Sequence, residues 1–479
     1  MSFPLFLCIF TAMDTLQFAE SIVESLPFEP NHQQIELVAA LARFCSAETP
    51  SDTVFLLNGY AGTGKTSVTG ALVKALPLIG QRAVLLAPTG RAAKVLASHA
   101  HHPASTIHRR IYRHASISQG MGFIGVAENR SENTVFIVDE ASMIAADGAS
   151  GNLLEDLIHY VYSGVNCRMI LSGDTAQLPP PGCEESPAMT PDVLRSLGLK
   201  VRRAVMTKTV RQSSTSGILY NATRLRRDMN ASPIPVPKLV VSPFKDVAAA
   251  DGEDLQDDLY SAYSRYGITE TLLITRSNKR AVGFNRAIRS DILDYETELV
   301  EGEPLMVAKN NYFWSREVKG LDFIANGDIG IVEKIYGTEV RDQLRYCDIA
   351  LRLPDHDITF DCKIILSSLT SEAPAMDPNL QRAHFDSCVN NPELFAPDTP
   401  MDQRLARLKT DPFFNALQVK YAYAVTCHKA QGGQWKSVFV DMGMIQPEAL
   451  TSIDLYRWLY TATTRATDHL TYIAPPASC

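Results

Sequence analysis

The segment Gly59–Thr66, GYAGTGKT, constrains the fold of this chain more than any other stretch. It matches the pattern GxxxxGK[ST], and it lies between a strand-like run, VFLLN (54–58), and a stretch with helical character. Glycines at these spacings let backbone N–H groups surround phosphate oxygens at the amino terminus of a helix. The segment therefore predicts a phosphate-binding loop in an α/β fold.

Apolar runs bounded by turn residues recur along the chain and read as strands that are buried on both faces. They are VFLLN (54–58), AVLLA (83–87), VFIVD (135–139) and RMILSGD (168–174), then TLLIT (271–275), KSVFVD (436–441) and HLTYIA (469–474). The segments between the early strands are long enough for crossover helices, which parallel strands need. Two α/β lobes are the most economical interpretation.

The sequence pattern changes between the predicted strands of the second lobe. Residues 300–365 hold short alternating segments with turn signals, which predict a small antiparallel β-domain inserted in that lobe. Residues 366–411 are rich in Pro, Asp and Asn, and we expect them to form an irregular loop.

Composition excludes several classes of protein. The chain has 479 residues, with 46% hydrophobic and 20% charged residues, so it is neither disordered nor a small disulfide scaffold. The 45 Lys and Arg against 53 Asp and Glu give a net charge of −8, which excludes a uniformly basic DNA coat but not a local basic groove. The nine cysteines form no CxxC pair, which indicates a reducing compartment and no zinc site.

The amino-terminal segment is apolar but lacks the features of a targeting signal. The first basic residue is Arg43, so MSFPLFLCIFTAM has no positive flank, and it is too short to span a membrane. No apolar run approaches the roughly 20 residues of a membrane span. We therefore expect residues 1–13 to be a frayed or mis-annotated extension, with Met13 as an alternative start, and residues 1–27 to form an N-terminal extension to the first lobe. We expect the protein to be cytoplasmic, encoded by a cell or a phage.

The phosphate-binding loop defines the first candidate site. Lys65 is expected to reach the β- and γ-phosphates of a nucleotide, and the Thr66 hydroxyl is expected to ligate Mg²⁺. The full set of expected nucleotide contacts from the loop is Gly59, Ala61, Gly62, Thr63, Gly64, Lys65 and Thr66. These groups predict a nucleotide and Mg²⁺ as cofactors.

Two later strand ends supply the other groups that phosphoryl transfer requires. VFIVDE ends in Asp139, a candidate Mg²⁺ ligand, and Glu140, a candidate base for the attacking water. LSGDTAQLPP (171–180) places Asp174 and Gln177 where a γ-phosphate sensor is needed. Gln177 can hydrogen-bond both phosphate and water, so we predict a catalytic role for it.

Charge is distributed unevenly along the chain. Residues 91–113 contain Arg91, Lys94, Arg109, Arg110 and Arg113 and no acid, and residues 195–227 contain nine basic residues and no acid. A run of like charges usually marks a solvated face, but both runs flank the nucleotide motifs, and this position makes phosphate contact the alternative. Residues 246–258 carry six acids and no base and match no motif.

Taken in order, these motifs resemble the RecD/Dda-like branch of superfamily 1 DNA helicases, from about residue 28 to the end. The resemblance implies two RecA-like P-loop motor lobes, with a small hairpin insertion in the first and a small β-barrel insertion in the second. The corresponding boundaries are 28–200 for the first lobe with its hairpin at about 109–132, 201–290 and 412–479 for the second lobe, and 291–411 for the barrel and its loops.

The resemblance also implies roles for individual residues. On the nucleotide these are Gln34 in PNHQQ (30–34), with Gln33 as the alternative, Arg211 in MTKTVRQ (206–212), Gly432 in AVTCHKAQGGQW (424–435), and Arg465 in YTATTRAT (460–467). On DNA they are Pro88, Thr89 and Lys94 (motif 87–96), Thr106 and His108 (105–112), Asn278 (274–289), and Thr426, His428 and Lys429 (424–435). Arg211 and Arg465 would act as arginine fingers. Ala430 and Gln434 depart from the usual residues of the 424–435 motif, and Gln434 leaves any sugar or base contact there in doubt.

The leading expectation is an ATP-dependent DNA helicase that moves on single-stranded DNA, 5′→3′ by resemblance, and acts at single/double-strand junctions in replication, recombination or repair. Met121 and Phe123, among the glycines of residues 113–132, are the predicted apolar tip of a wedge hairpin. We expect a monomeric motor with no membrane partner, which replication or recombination proteins could join. The alternatives are an ATP-gated single-strand clamp that does not unwind, and an RNA-directed superfamily 1 enzyme.

Overall fold

The computed structural model describes residues 14–114, 124–145, 152–208, 215–321 and 323–474. In this part of the chain the first lobe is built on six parallel strands in the order β3-β2-β6-β7-β1-β8. The strands are β1 (Thr53–Gly59), β2 (Arg82–Ala87), β3 (Ala104–Thr106), β6 (Thr134–Val138), β7 (Arg168–Gly173) and β8 (Lys200–Met206). The four runs predicted for this half coincide with β1, β2, β6 and β7, and the parallel α/β fold is confirmed.

Helices cover both faces of this sheet. They are α1 (Thr15–Glu24), α2 (His32–Cys45), α3 (Lys65–Ala75), α4 (Gly90–Ala100), α5 (Ile107–Ile111), α6 (Leu153–Ser163) and α7 (Pro191–Ser196). Alternate residues of β1 enter opposite cores, since Phe55 and Leu57 pack with α1–α3 while Val54 and Leu56 pack with α5–α7. Burial on both faces explains why these strands read as continuous apolar runs.

The predicted N-terminal extension, residues 1–27, contains an ordered helix. Helix α1 lies within residues 1–27, and its Phe18 and Ile22 are buried in the same core as α2 and α3. These two side chains are one helical turn apart, so they lie on the same face of α1, and their burial anchors the helix. Residues 1–13, for which fraying is predicted, lie outside the described residues.

A two-stranded antiparallel hairpin is inserted after α5. Its strands are β4 (Tyr112–His114) and β5 (Ile124–Val126), and Tyr112 pairs with Val126. The hairpin lies within the predicted insertion at about 109–132. The proposed wedge residues, Met121 and Phe123, fall outside the described residues.

The second lobe has five parallel strands in the order β16-β10-β17-β18-β9. They are β9 (Val247–Ala250), β10 (Thr271–Thr275), β16 (Ala424–Thr426), β17 (Trp435–Asp441) and β18 (Ala466–Ile473), and the three predicted runs correspond to β10, β17 and β18. Its helices are α8 (Gly217–Met229), α9 (Leu255–Tyr266), α10 (Asn278–Ala287), α13 (Cys427–Ala430) and α14 (Ile453–Thr463). Among the described residues, no helix is both long and apolar enough to cross a membrane.

A closed five-stranded barrel is inserted between β10 and β16, as the resemblance implied. Its strands are β11 (Pro304–Val307), β12 (Ile329–Arg341), β13 (Leu344–Leu353), β14 (Ile358–Ile365) and β15 (Leu417–Tyr421). The barrel interior is continuous with one face of the second lobe's sheet, because Leu305 and Ile349 of the barrel share a core with Leu273 and Phe439.

Three features differ from the sequence-based expectation. Residues 366–411 are not irregular throughout, because they contain α11 (Pro378–Val389) and α12 (Met401–Leu408), which pack on the outside of the barrel. Strand β15 closes the barrel although it follows the expected end of that domain at residue 411. Strand β8 extends the first lobe's sheet past its expected end at residue 200.

The acidic run 246–258 has a local structural role. The Asp246 carboxylate accepts hydrogen bonds from the Ser216 hydroxyl at 2.7 Å and from the Gly217 N–H at 2.8 Å, so it caps the start of α8. Asp257 and Asp258 lie in the first turn of α9, where carboxylates interact favourably with the helix dipole.

Candidate active site and nucleic-acid interface

The phosphate-binding loop connects β1 to α3. Gly62 and Gly64 adopt φ values of 75° and 88°, a left-handed conformation that glycine adopts without strain. At Gly59 a Cβ would lie 2.7 Å from the Lys65 side chain, so any larger residue would displace that lysine. The Lys65 ammonium donates hydrogen bonds to the carbonyl of Gly59 and to that of Tyr60, the latter at 3.3 Å. A bound phosphate would replace these carbonyls as its partner.

Asp139 follows β6, and its position suits a magnesium ligand. One of its carboxylate oxygens accepts a hydrogen bond from the Ser172 hydroxyl of β7 at 2.9 Å, which orients the group at the carboxyl end of the sheet. Thr66 lies in the first turn of α3, at the same edge. Mg²⁺ is commonly bound through one or two protein oxygens together with waters and substrate phosphates. The hydroxyl of Thr66 and the carboxylate of Asp139 are a donor set of this kind.

Glu140 is the most strongly perturbed carboxylate of the site. Its backbone is left-handed, with φ of 51°, and its pKa is raised by burial. The positive charges of Arg465 and Lys65 oppose this rise, whereas Asp139 and Asp174 reinforce it. A carboxylate whose pKa is raised toward the working pH is better suited to accept a proton from water.

Gln177 is buried, and one of its polar atoms lacks a partner. Its side-chain carbonyl oxygen has no hydrogen-bond donor among the described residues. Such an orphaned acceptor costs stability of about 1–3 kcal/mol, and a bound water would satisfy it. This placement suits the predicted role of Gln177 in orienting water, while Asp174 makes contacts of a different kind.

Asp174 connects the two lobes through Tyr460. The Tyr460 hydroxyl of α14 donates to the Asp174 carboxylate at 2.6 Å and accepts from the Ala61 N–H of the phosphate-binding loop at 2.9 Å. One phenol thus contacts the nucleotide loop and the predicted sensor segment simultaneously. The sequence reasoning did not single out Tyr460; the signal was its place in YTATTRAT, five residues before Arg465.

Two further hydrogen bonds cross the same cleft. The Leu178 N–H donates to the Thr461 hydroxyl at 2.8 Å, and the Leu178 carbonyl accepts from the Gln431 side chain at 2.7 Å. The segment that follows Gln177 is therefore held by both the 424–435 motif and α14. Movement between the lobes must strain or break these bonds.

Arg465 lies in the second lobe and is buried at the cleft. Its guanidinium donates to the carbonyls of Thr461 and Gly433, each at 3.1 Å, and its charge acts on Glu140 across the cleft. This position is compatible with an arginine finger. Arg211, the other predicted finger, lies outside the described residues.

The two candidate adenine-reading glutamines have different environments. Gln34 is fully buried; its side chain accepts from the Asn31 N–H at 2.9 Å and donates to the Thr63 carbonyl at 3.2 Å. It therefore caps α2 and supports the phosphate-binding loop. Gln33 is half-buried, and its side-chain oxygen accepts from the backbone N–H groups of Thr207 and Lys208 at 3.1 and 2.9 Å, within and next to the motif of Arg211.

The DNA-contact residues predicted in the first lobe lie along α4 and α5. Thr89 and Thr106 each cap a helix, since their hydroxyls accept from the N–H groups of Ala92 and Arg109, both at 3.2 Å. Pro88 directly precedes Thr89 at the exit of β2. The His108 ring lies 5.6 Å from that of Phe323 in the barrel segment, and burial lowers its pKa, which favours the neutral imidazole.

The predicted contacts in the second lobe converge. Asn278, Thr426 and Lys429 line one small hollow together with Lys420. Burial lowers the pKa of Lys429 to about 8, and the nearby Lys420 adds to this effect. His428 is exposed beside this hollow. The arrangement can bind phosphate oxygens.

Gly432 of the second lobe lies against the first lobe. With φ of 73°, it approaches the first lobe so closely that a Cβ would lie 3.1 Å from both Ala92 and the Thr89 hydroxyl. The structure therefore brings Gly432 to the start of α4, on the predicted DNA-contact side.

Turns of the barrel contact the same surface. The Lys94 ammonium donates to the Pro354 carbonyl at 2.7 Å and lies 3.8 Å from the Asp355 carboxylate, and Lys429 donates to the Asn326 side chain. One lysine of each lobe for which a DNA contact is predicted therefore contacts the barrel.

Comparison with known proteins gives two family matches in this chain. Residues 30–234 match an AAA domain, and residues 421–473 match a UvrD-like helicase C-terminal domain. The ATP-dependent RecD2 DNA helicase of Deinococcus radiodurans is 36% identical over 128 residues, which are 26% of this chain. The match spans only 16% of that relative's length.

Solved structures of Pif1 helicases are also similar to this chain along most of its length. Pif1 from Bacteroides with ADP-AlF3 and single-stranded DNA has 14% identity and a TM-score of 0.45, covering 92% of both chains. Pif1 from Candida albicans has 16% identity and a TM-score of 0.43, covering 94% of this chain and 95% of the other.

Proposed function

We propose that this chain, which belongs to the RecD/Pif1-like group of superfamily 1 helicases, is an ATP-driven motor that moves along single-stranded DNA and unwinds duplex DNA. One observation carries the proposal. Tyr460 and Arg465 of the second lobe meet the phosphate-binding loop and Glu140 of the first across a single cleft. Nucleotide bound in that cleft therefore contacts both lobes.

Each group around the cleft has a chemical task. Thr66 and Asp139 would hold Mg²⁺, which neutralises phosphate charge when bound. Lys65 binds the phosphates, and Glu140 accepts the proton of the attacking water, which Gln177 orients. Arg465 stabilises the negative charge that develops on the transferred phosphoryl group. Arginine fingers contribute on the order of 10³–10⁵ in rate in related chemistry.

The coupling to movement follows from the hydrogen bonds across the cleft. Closure on ATP brings Arg465 and the Tyr460–Asp174 contact to the phosphates, and product release loosens them. Thr426, Lys429 and Asn278 lie on the same lobe as Arg465, whereas Thr89, Lys94 and His108 lie on the other. A strand that lies across both sets is gripped alternately, and this alternation produces translocation.

The substrate and direction complete the proposal. The strand contacts are to phosphate, so binding is expected to be insensitive to sequence and to weaken steeply with salt. We propose DNA as the substrate because the RecD2 relative is a DNA helicase, and 5′→3′ movement because that is the direction of the RecD/Dda branch. Work at single/double-strand junctions suits replication, recombination or repair in the cytoplasm.

The test is ATP hydrolysis by the full chain with and without single-stranded DNA, with Lys65→Ala as the inactive control. Strong stimulation that the substitution abolishes supports a DNA-coupled motor. Hydrolysis stimulated by RNA alone would support the RNA-directed alternative and refute the DNA motor. Glu140→Gln should lower the rate by about 10²–10⁴ while nucleotide binding persists.

A strand-displacement assay separates the motor from a clamp. With a 5′ single-stranded tail on the duplex, the motor should release the complementary strand in an ATP-dependent reaction, and a 3′ tail should support much less release. DNA-stimulated hydrolysis without any release from either substrate would refute unwinding and leave an ATP-gated clamp.

A further inference from the structure

An arginine-lined cavity lies at the edge of the first lobe's sheet opposite the phosphate-binding loop. Its volume is about 550 Å³, and it is formed by the amino-terminal ends of β2 and β6 and the base of the β4–β5 hairpin. Since the strands are parallel, their amino-terminal ends lie opposite the edge that bears Lys65. The cavity is therefore separate from the nucleotide site.

The charge of the cavity is strongly positive in a chain whose net charge is −8. Its described lining includes Arg82, Arg110 and Arg130 against one acidic residue, Glu128. Glu128 pairs with Arg130, its Oε2 accepting from the Arg130 Nε at 2.9 Å. Two positive charges of these three arginines remain after Glu128 is balanced, so an anionic ligand is favoured.

Arg110 is held in place by neutral groups. It donates to the Ser131 hydroxyl at 3.0 Å, and its guanidinium lies 5.8 Å from the centre of the Phe136 ring. Its Nε is buried and has no acceptor among the described residues. The fold thus fixes a guanidinium here without neutralising it, which is how proteins prepare phosphate-binding sites.

The position of the cavity relative to α5 indicates which of the two separated DNA strands would reach it. Arg109 and Arg110 are on the same short helix as His108, which lies on the predicted strand path, and the hairpin begins two residues after Arg110. The helix therefore separates the strand path from the cavity. A duplex that opens at the hairpin would send one strand past His108 and leave the other on the cavity's side.

We propose that this cavity binds the sugar–phosphate backbone of the non-translocating strand at the junction. The proposal rests on the motor function above and goes beyond it, because it assigns a second nucleic-acid site. The ligand is a phosphodiester backbone read without regard to sequence, held by guanidinium groups whose paired N–H donors match phosphate oxygens.

The test uses the full chain with Arg82→Ala and Arg130→Ala combined, two exposed arginines whose removal leaves the core intact. Fluorescence anisotropy compares a single strand with a forked duplex carrying two single-stranded arms. We expect fork affinity to fall on the order of tenfold, with a salt slope shallower by about 2. Affinity for the single strand and single-strand-stimulated ATP hydrolysis should stay unchanged.

A matched control removes the same charge elsewhere. Arg43→Ala with Arg382→Ala also deletes two exposed arginines, one on α2 and one on α11. It should leave fork affinity near that of the unaltered chain. An unchanged fork affinity in the Arg82/Arg130 variant, or an equal loss in the control, would overturn the proposal.

Two further readouts separate other outcomes. Pyrophosphate that raises the melting temperature of the parent chain but not of the Arg82/Arg130 variant, with fork binding intact in both, would identify a site for small anions and refute a strand site. Failure of the motor function itself would appear in the parent chain, as ATP hydrolysis indifferent to DNA. That result is independent of how the variant binds forks.

Discussion

Replacing Tyr460 with Phe removes a single oxygen from the junction between the two lobes. That oxygen donates to the Asp174 carboxylate at 2.6 Å and accepts from the Ala61 N–H at 2.9 Å. The ring remains and fills the same space, so the substitution isolates the two hydrogen bonds. Burial and Asp174 raise the pKa of the phenol well above its ordinary value, so both bonds persist across the working pH range.

The size of the effect follows from what remains afterwards. A hydrogen bond to a charged group contributes about 1.5–3 kcal/mol, and a buried donor left without a partner costs about 1–3 kcal/mol. The Asp174 carboxylate still accepts a hydrogen bond from the Ala176 N–H at 3.0 Å, so it retains one hydrogen-bond partner after the substitution. We expect a net loss of about 2–4 kcal/mol in the free energy that holds the lobes together.

Urea unfolding and steady-state kinetics together measure this loss. The transition that separates the lobes should move to lower urea, and kcat for ATP should fall because closure becomes less favourable. Tyr220→Phe is a matched control, since Tyr220 lies on α8 and its side chain is 39% exposed. Unfolding and kinetics indistinguishable from those of the control would refute the argument that this phenol couples the lobes.

Three further substitutions test the strand and nucleotide contacts. Because burial lowers the pKa of Lys429 to about 8, its side chain carries a positive charge below that pH and loses it above. Single-strand affinity should therefore fall between pH 7 and 9. Lys429→Arg stays charged over this range, so its affinity in anisotropy titrations should depend less on pH. Asp355→Asn should raise single-strand affinity by at most about fivefold, since its pair with Lys94 is partly exposed. Asp357→Asn, the same charge change on an exposed neighbour, should raise it less, and equal effects would attribute the gain to charge alone. Gln33→Ala should raise KM for ATP with little change in the urea midpoint, because the side chain is only half-buried. A KM equal to the parent's would contradict a role of Gln33 in nucleotide recognition.

Local patterns predicted much of this fold. The phosphate-binding loop could be predicted from the spacing of its glycines, and the neighbouring strands from their uninterrupted apolar runs. Both patterns depend only on the local conformation of the chain. The carboxyl ends of parallel strands share one edge, so residues 139, 140 and 177 could be expected near Lys65. The parallel α/β class and the barrel are confirmed; the roles of these residues remain predictions.

Features that depend on distant pairing could not be predicted. Tyr460 meets Asp174 across 286 positions of sequence, and no local signal marks either residue as the other's partner. Helix α11 was read as loop because only a few apolar side chains, such as Cys388 and Val389, face the barrel. Gln34 matches a nucleotide motif in the sequence. In the structure, however, its side-chain amide is hydrogen-bonded to the Asn31 N–H at the start of α2 and to the Thr63 carbonyl.

The closing strand of the barrel has a mechanical consequence. Strand β15 ends at Tyr421, and β16 begins at Ala424, so two residues separate the barrel wall from the motif that contains Thr426. Asn285 of α10 fixes that short connection by donating to the carbonyls of Tyr421 and Ala424, at 3.2 and 2.9 Å. The barrel and the predicted strand-contact motif are therefore joined by one short, hydrogen-bonded connection. We expect a force applied to the barrel by an opposing duplex to be transmitted directly to Thr426 and its neighbours.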